Sequence, residues 1–415
     1  MSRKTSIHII RCTLLTAILQ TAVACATDDD RQPTGAAGLG TVAFTASMNA
    51  GSPATTRAAN QINDDATLQA KSFGVFGCYT GLHKYVDSNI RPDFMYNEKV
   101  TYSTGQWEYS PLKYWPNGEG EATGNTGENP HYVSFMAYAP WSNHLTPDPE
   151  NEPADYCIPS FSHQGELGNP WLTYRLHTDV EKQVDLLYAP AQLDQKKPTT
   201  DYRIPFAFNQ ALACVGDRVT ISCSNGLKGQ TDSRVVGTVT NAKIEVTGFE
   251  IEYTLTSKAR LILWNNGLPD CAPYWQTILS EAPVCKRTVT LIDPNSNTDN
   301  TPIYAYSKTI PSDFETQDTW EGLGVFYIPI ELAGYVQTAK VSLTYRIATY
   351  SGSKWTYDSE NAGSATLTLH DYSAAFQAGR HLYINVTLNQ MDIALTAAIA
   401  PWQTTTPQEV EGVED

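Results

Sequence analysis

Positive charge is scarce in this sequence of 415 residues. There are 28 Lys and Arg against 44 Asp and Glu, which gives a formal net charge of −16. No stripe of Lys and Arg can displace counterions from a phosphate backbone, so we expect no nucleic-acid partner. The same balance argues against a polybasic contact with a membrane surface.

Catalytic and metal-binding motifs are also missing. The sequence has no H-E-x-x-H, G-x-S-x-G, Walker or G-x-G-x-x-G motif, and no Cys has a His at zinc-ligand spacing. Residues 293–300 are rich in oxygen ligands but lack the central Gly and final Glu of a calcium loop, which favours a turn. We therefore expect no enzymatic activity, no catalytic residue, no metal site and no cofactor.

Cysteine is sparse, with eight in the chain, and one of them, Cys25, closes the N-terminal segment. The spacing of Cys214 and Cys223 suits a pair that faces across a hairpin, and Cys271 with Cys285 can close a short loop. Cysteines in the folded part are equally compatible with small buried hydrophobic residues. The pairing stays open for six of them: Cys78, Cys157, Cys214, Cys223, Cys271 and Cys285.

Residues 1–24 have the pattern of an export signal. Basic residues precede the apolar run 12–24, which is too short to span a bilayer as a permanent helix. Small residues lead into Cys25, as in a bacterial lipobox, so we predict cleavage before Cys25 and its lipidation. Ordinary signal-peptidase cleavage after Ala24 is the alternative. The acidic run 28–30 favours transfer of the lipoprotein to the outer face of the outer membrane.

Strand and turn formers dominate the rest of the chain, with 23 Tyr, 12 Phe, 27 Gly and 24 Pro. Short alternating runs recur and helical periodicity is scarce, which predicts an all-β fold of antiparallel β-sandwiches. The stretch 195–200, rich in Lys, Pro and Thr, is the expected seam between two domains, 58–200 and 201–402. An acidic tail, 403–415, follows.

The first strand pattern lies at residues 41–48, where apolar and mostly polar residues alternate, as in a half-buried strand. The apolar positions are Val42, Phe44, Ala46 and Met48. A loop of small residues follows and ends in Arg57, which is an accessible site for a trypsin-like protease. On local sequence alone, an ordinary exposed loop arginine is the alternative.

Several segments, in chain order, resemble the fimbrillins, the Mfa-like and FimA-like type V pilus subunits of Bacteroidetes. The matching segments are 113–116 (KYWP), 132–140 (YVSFMAYAP), 185–189 (DLLYA), 204–215 (IPFAFNQALACV), 326–330 (FYIPI), 341–345 (VSLTY), 379–388 (GRHLYINVTL) and 399–402 (IAPW). Gln210 stands where that family usually has His, and Cys214 where it usually has Lys. The matches cover about residues 25–402.

The resemblance implies two transthyretin-like β-sandwich domains and a subunit of a cell-surface adhesive pilus, in the stalk, at the tip or as an accessory. It implies that residues 25–57 are a lipidated tether with a removable first strand. An Arg-specific protease would cut between Arg57 and Ala58, and another pilus subunit would fill the groove by β-strand exchange. Because the tail 403–415 is acidic and contains Pro, residues 391–402 are an alternative donor strand.

The competing hypothesis is a monomeric outer-surface lipoprotein that binds glycans on exposed aromatic side chains. The tryptophans that would form such a platform are Trp115, Trp141, Trp171, Trp264, Trp275, Trp355 and Trp402. The two hypotheses differ at Arg57, because a glycan-binding protein has no need of cleavage there. The sequence identifies no surface ligand for either.

Overall fold

In the computed structural model, strands dominate the chain. The described residues are 40–49, 61–87, 89–116, 131–143, 156–223, 241–265, 273–277, 285–290, 304–309, 318–321, 324–331, 336–351, 354–357, 361–388, 393–401 and 408–409. Within these ranges α1 (Asp65–Gln69) is the single α-helix. No helix there is long and apolar enough to span a membrane. The predicted all-β fold is confirmed.

The described strands are numbered in chain order. They are β1 (Phe44–Met48), β2 (Phe73–Gly81), β3 (Met95–Ser103), β4 (Gln106–Glu108), β5 (Tyr132–Ala139), β6 (Ser160–Phe161), β7 (Trp171–Arg175), β8 (Leu187–Gln195), β9 (Ile204–Gln210), β10 (Ala213–Cys223), β11 (Asn241–Leu255), β12 (Lys258–Ile262), β13 (Tyr274–Thr277), β14 (Cys285–Thr290), β15 (Tyr304–Thr309), β16 (Asp318–Glu321), β17 (Val325–Tyr327), β18 (Thr338–Ser351), β19 (Lys354–Tyr357), β20 (Asn361–Thr368), β21 (Arg380–Leu388), β22 (Ile393–Pro401) and β23 (Gln408–Glu409).

The first sheet contains β1 and most of the N-terminal strands. Its order is β1-β9-β8-β5-β2-β3-β4. Apolar side chains from its strands form one core, which includes Phe44, Phe73, Phe135 and Phe206. All four are at most 1% exposed. Burial of these large rings is the main stabilising term for the sheet.

Three further sheets are present among the described residues. One has the order β16-β10-β21-β22-β23, with β17 also beside β10, and another has the order β14-β11-β18-β19, with β15 on β11 and β20 on β18. The third has the order β13-β12-β7-β6. A second apolar core includes Phe76 and Phe161, and continues into Val219, Tyr253 and Tyr327.

The predicted seam at 195–200 begins at the end of β8 and precedes β9. Because β9 pairs with β8, the chain remains in the first sheet across this stretch. The division into domains 58–200 and 201–402 stays a prediction, and so does the transthyretin-like topology.

The suggested pairing of Cys214 with Cys223 across a hairpin is wrong. Both residues lie on the single strand β10, nine positions apart, and at about 3.3 Å per residue their backbones are roughly 30 Å apart. Cys78, Cys157 and Cys214 are buried free thiols, as expected for small hydrophobic residues. No side chain is described for Cys223, Cys271 or Cys285, and residues 293–300 lie outside the described ranges.

Candidate functional site

Strand β1 lies parallel to β9 along one border of the first sheet. The register pairs Phe44 with Ile204 and Met48 with Phe208. Backbone bonds extend past both ends of the strand, because Ile204 N donates to Ala43 O at 2.8 Å and Asn49 N donates to Phe208 O at 2.9 Å. One edge of β1 is therefore held by β9 along its whole length.

On the side away from β9, residues 107–115 bond to the chain just before β1 and to Ala46 within it. Val42 N donates to Lys113 O at 2.8 Å, and Trp115 N donates to Gly40 O at 2.9 Å. Two side chains complete this side, since Trp107 Nε1 donates to Ala46 O at 3.2 Å and the Tyr109 hydroxyl donates to Val42 O at 2.8 Å. We call the space between β9 and residues 107–115 the β1 slot.

Burial extends the pH range over which the Tyr109 hydroxyl can donate a hydrogen bond. Loss of solvation raises the pKa of Tyr109 to about 12, so the phenol, which is protonated at neutral pH in any case, stays a donor to Val42 O into the alkaline range. Tyr109 and Trp107 were not singled out from the sequence as site residues. The alternating run that contains them predicts a strand, but it does not indicate which backbone their side chains reach.

The apolar face of β1 fills the floor of the slot. Val42 and Phe44 are buried, Ala46 and Met48 are half-buried, and Thr45 and Ser47 point to solvent. This alternation confirms a half-buried strand within the predicted 41–48, with regular pairing from Phe44. The four apolar positions named from the sequence therefore share one face of the strand.

Phe44 is the anchor of β1. Its ring stacks on Phe206 with centroids 5.5 Å apart, and it meets Phe135 edge-on at 5.6 Å. It also contacts Tyr109 at 5.6 Å and Phe73 at 6.5 Å. Ring pairs of this kind add about 0.5–1.5 kcal/mol each beyond the burial of area.

A buried clamp holds the chain just beyond the predicted cleavage position. Ile62 N donates to Asp185 Oδ2 at 2.9 Å, and Gln210 Nε2 donates to Ile62 O at 2.9 Å. Asp185 and Gln210 lie in two of the segments that carry the fimbrillin resemblance, although Gln210 itself departs from the family pattern, and the structure brings them to one backbone unit. This Ile62 clamp was not predicted, because neither motif indicates its partner.

Asp185, the acid in the Ile62 clamp, has a raised pKa. Burial raises the pKa of Asp185 to about 8, and this shift is partly offset by bonds from Ile62 N, Gln210 and Leu186 N. Cys214 is its ionisable neighbour, and burial together with the charges of Asp217 and Asp185 raises the pKa of that thiol. Asp185 is therefore protonated in the folded chain at neutral pH.

Three predicted site residues cannot be placed in this geometry. Cys25, Arg57 and Ala58 lie outside the described residues. The chain on either side of Arg57 is held, because Asn49 bonds to β9 and Ile62 sits in its clamp. Lipidation at Cys25 and cleavage between Arg57 and Ala58 stay predictions.

The described tryptophan side chains do not favour a glycan platform. Trp115 and Trp264 are buried, and Trp141, Trp171 and Trp275 are half-buried. A stacking platform needs ring faces open to solvent, and no tryptophan with a described side chain has one that is mostly exposed. The side chains of Trp355 and Trp402 are outside the described part of the chain.

The sequence is related to a named fimbrial subunit. It is 27% identical to Fimbrium subunit Fim1C of Phocaeicola vulgatus over 207 residues, which are 47% of this chain and 46% of that protein. The match thus spans about half the length of the curated relative. No family model matches the chain.

The fold is shared with a crystal structure of a fimbrial protein from Bacteroides vulgatus. That comparison covers 88% of this chain and 99% of the other, at 19% identity and a TM-score of 0.60. A crystal structure of a cell adhesion protein from Bacteroides uniformis is more distant: it covers 87% of this chain and 99% of the other at 12% identity and a TM-score of 0.37. The resemblance to the fimbrillins is confirmed, and the chain is fimbrillin-like in sequence and in fold.

We predict that Phe44→Ala lowers the free energy of unfolding by about 3–5 kcal/mol, because it leaves a cavity among the rings of the first core. Thr45→Ala, at the exposed neighbouring position, changes it by less than about 0.5 kcal/mol. Urea unfolding of the intact chain measures both. Equal effects at the two positions would mean that β1 is not part of the cooperative core.

We predict that Asp185→Asn flattens the pH dependence of stability. Asp185 takes up a proton on folding, because its pKa is about 8 in the folded state and near 3.9 when unfolded. The wild type therefore loses up to about 1.4 kcal/mol of stability per pH unit from this group between pH 4 and 8. Urea unfolding at several pH values tests the slope, with exposed Asp201→Asn as control. Unchanged slopes would contradict the assignment.

Proposed function

We propose that this chain is a structural subunit of a cell-surface adhesive pilus that assembles by strand exchange. The β1 slot supports this proposal: β9 bonds one edge of the strand, residues 107–115 bond to Gly40, Val42 and Ala46 on the other side, and Phe44 anchors it. A strand bound in this way is a replaceable unit, because another strand of similar pattern can make the same backbone bonds. The likeness to Fim1C, a named fimbrium subunit, supports the same class.

In this proposal the chain reaches the cell surface as a lipoprotein. The signal-like residues 1–24 are removed, Cys25 is lipidated, and the acyl chains hold the subunit in the outer membrane. The strongly acidic composition gives the protein itself no attraction for anionic lipid, so the anchor supplies the attachment. The subunit is structural and has no enzymatic role.

An Arg-specific protease then cuts between Arg57 and Ala58. The cut lies between two held points, Asn49 and Ile62, so it frees β1 covalently and leaves the new N-terminal segment fixed at the clamp. A neighbouring subunit fills the slot with a strand from 391–402. That segment contains β22, whose nine residues read IALTAAIAP and place the larger apolar residues Ile393, Leu395 and Ile399 on one face, whereas β23 in the acidic tail has two residues.

We predict that trypsin cuts the unlipidated mature chain, residues 26–415, first after Arg57, and that the product forms oligomers on incubation. Intact mass locates the cut, and a gel without denaturant reports the oligomers. Arg57→Gln should abolish both, because trypsin requires the basic side chain. Arg91→Gln removes another exposed arginine and should behave as wild type.

The possible outcomes separate the proposal from its alternatives. Cleavage after Arg57 without oligomers would assign the subunit to a pilus tip, which accepts a strand and donates none. Resistance at Arg57 in a folded chain would remove polymerisation by this route, leaving an uncut anchor or the glycan-binding lipoprotein. Binding of oligosaccharides to the uncut chain would then favour the latter.

A further inference from the structure

Three buried side chains with metal-ligating atoms meet in the sheet that contains β10 and β21. Cys214, Asp217 and His381 place one ligand atom each within 4.8 Å of one another. Cys214 and Asp217 are fully buried, and His381 is 4% exposed. This Cys-Asp-His cluster is assigned no part in strand exchange, because it belongs to a different sheet from β1.

The backbone explains how residues so far apart in sequence come together. β10 and β21 run parallel, and Cys214 is the register partner of His381. A bulge interrupts the pairing between Val215 and Val219, and within it Gly216 has φ +76°, a conformation that favours glycine. The bulge breaks the strict alternation of side chains, which allows Asp217 to lie beside Cys214.

The surroundings of the Asp217 carboxylate indicate a bound cation. Neither of its carboxylate oxygens has a hydrogen-bond partner among the described residues, although both are buried. A buried carboxylate without hydrogen bonds is costly, by several kcal/mol unless a cation compensates it. Oδ2 lies 3.3 Å from Nδ1 of His381, a distance that suits two ligands of one metal ion and also an ion pair with a protonated imidazole.

The spacing suits a small divalent ion. With zinc bonds of about 2.0–2.3 Å to nitrogen, oxygen and sulfur, tetrahedral ligand atoms lie about 3.3–3.8 Å apart. The 3.3 Å between His381 and Asp217 matches this range, and the 4.8 Å limit on the whole cluster needs a closure of at most about 1.5 Å. One thiolate, one carboxylate and one neutral imidazole together balance the charge of Zn²⁺.

The cluster is also packed tightly on one side. A Cβ placed on Gly324 would lie 2.6 Å from Sγ of Cys214 and 2.8 Å from Cα of Asp217. The backbone of Gly324 therefore packs directly against the cluster, and a larger residue at position 324 would clash with it. Burial of this kind is typical of structural metal sites, in which the ion is bound as the chain folds.

We propose that Cys214, Asp217 and His381 form a structural zinc site that stabilises the sheet around β10 and β21. The three protein ligands are one fewer than structural zinc sites usually have, so a water molecule completes the tetrahedron. Without the ion, burial keeps the Cys214 thiol protonated and leaves a buried pair of Asp217 and His381. That metal-free pair is the alternative that an experiment must distinguish.

The test is the metal content of the mature chain, residues 26–415, refolded with Zn²⁺ and dialysed. We expect about one zinc per chain in the wild type and close to none in Cys214→Ser, Asp217→Asn and His381→Gln. Cys78→Ser and Cys157→Ser are matched controls, because both remove a buried free thiol outside the cluster and should retain the zinc.

A second measurement uses only the wild type, in case the variants fail to fold. Refolding with Co²⁺ in place of zinc should give a thiolate-to-cobalt charge-transfer band, and a chelator should lower the melting temperature. A wild type that binds no zinc, shows no such band and keeps its melting temperature with chelator would overturn the proposal in favour of the metal-free pair. Zinc retained equally in Cys214→Ser would also overturn it. Neither result depends on cleavage at Arg57.

Discussion

The two-sided hydrogen bonding of β1 is the constraint on which the rest of the first sheet depends. Strand β9 holds one edge, and residues 107–115 bond to Gly40, Val42 and Ala46 on the other side, so the removal of residues 40–49 leaves donors and acceptors unpaired on both sides. Each buried group left in this way costs about 1–3 kcal/mol, and the loss of Phe44 exposes an apolar floor. The slot is therefore stable only when a strand occupies it.

The chain is also fixed on both sides of the predicted cleavage position. β1 is followed by residues 50–60, and the chain is fixed again at Ile62 by Asp185 and Gln210. In the proposed scheme a cut between these points removes only the covalent connection of β1, because both flanks keep their own bonds. In this scheme β1 can therefore leave without unfolding of the sheet. The slot then keeps the geometry that a replacement strand needs.

Local patterns predicted the strands better than their partners. The alternation at 41–48 identified the buried face of β1, since side-chain direction has a period of two. The parallel pairing with β9 was not predictable, because 160 residues separate the strands and pairing depends on the whole sheet. The same limit explains the error at Cys214 and Cys223, where one long strand was taken for two.

For the candidate site residues too, the sequence indicated single residues, and only the fold showed their partners. The resemblance drew attention to Asp185 and Gln210, but only the fold shows that they share Ile62 as a partner. Cys214 and His381 are 167 positions apart, so no spacing rule for metal ligands detects them in the sequence. Long-range strand register brings them together, and a local bulge adds Asp217.

Hydrogen exchange at the two walls of the slot measures whether these walls need β1 to satisfy their hydrogen bonds. The cut chain would be freed of β1 in mild denaturant, returned to buffer, and measured with and without a synthetic peptide of residues 40–49. We predict that the amides of Ile204 and Trp115, which donate to Ala43 O and Gly40 O just before β1, lose protection without residues 40–49 and regain it with the peptide. Unchanged protection without β1 would contradict the account, because the walls would then satisfy each other and leave no slot to fill.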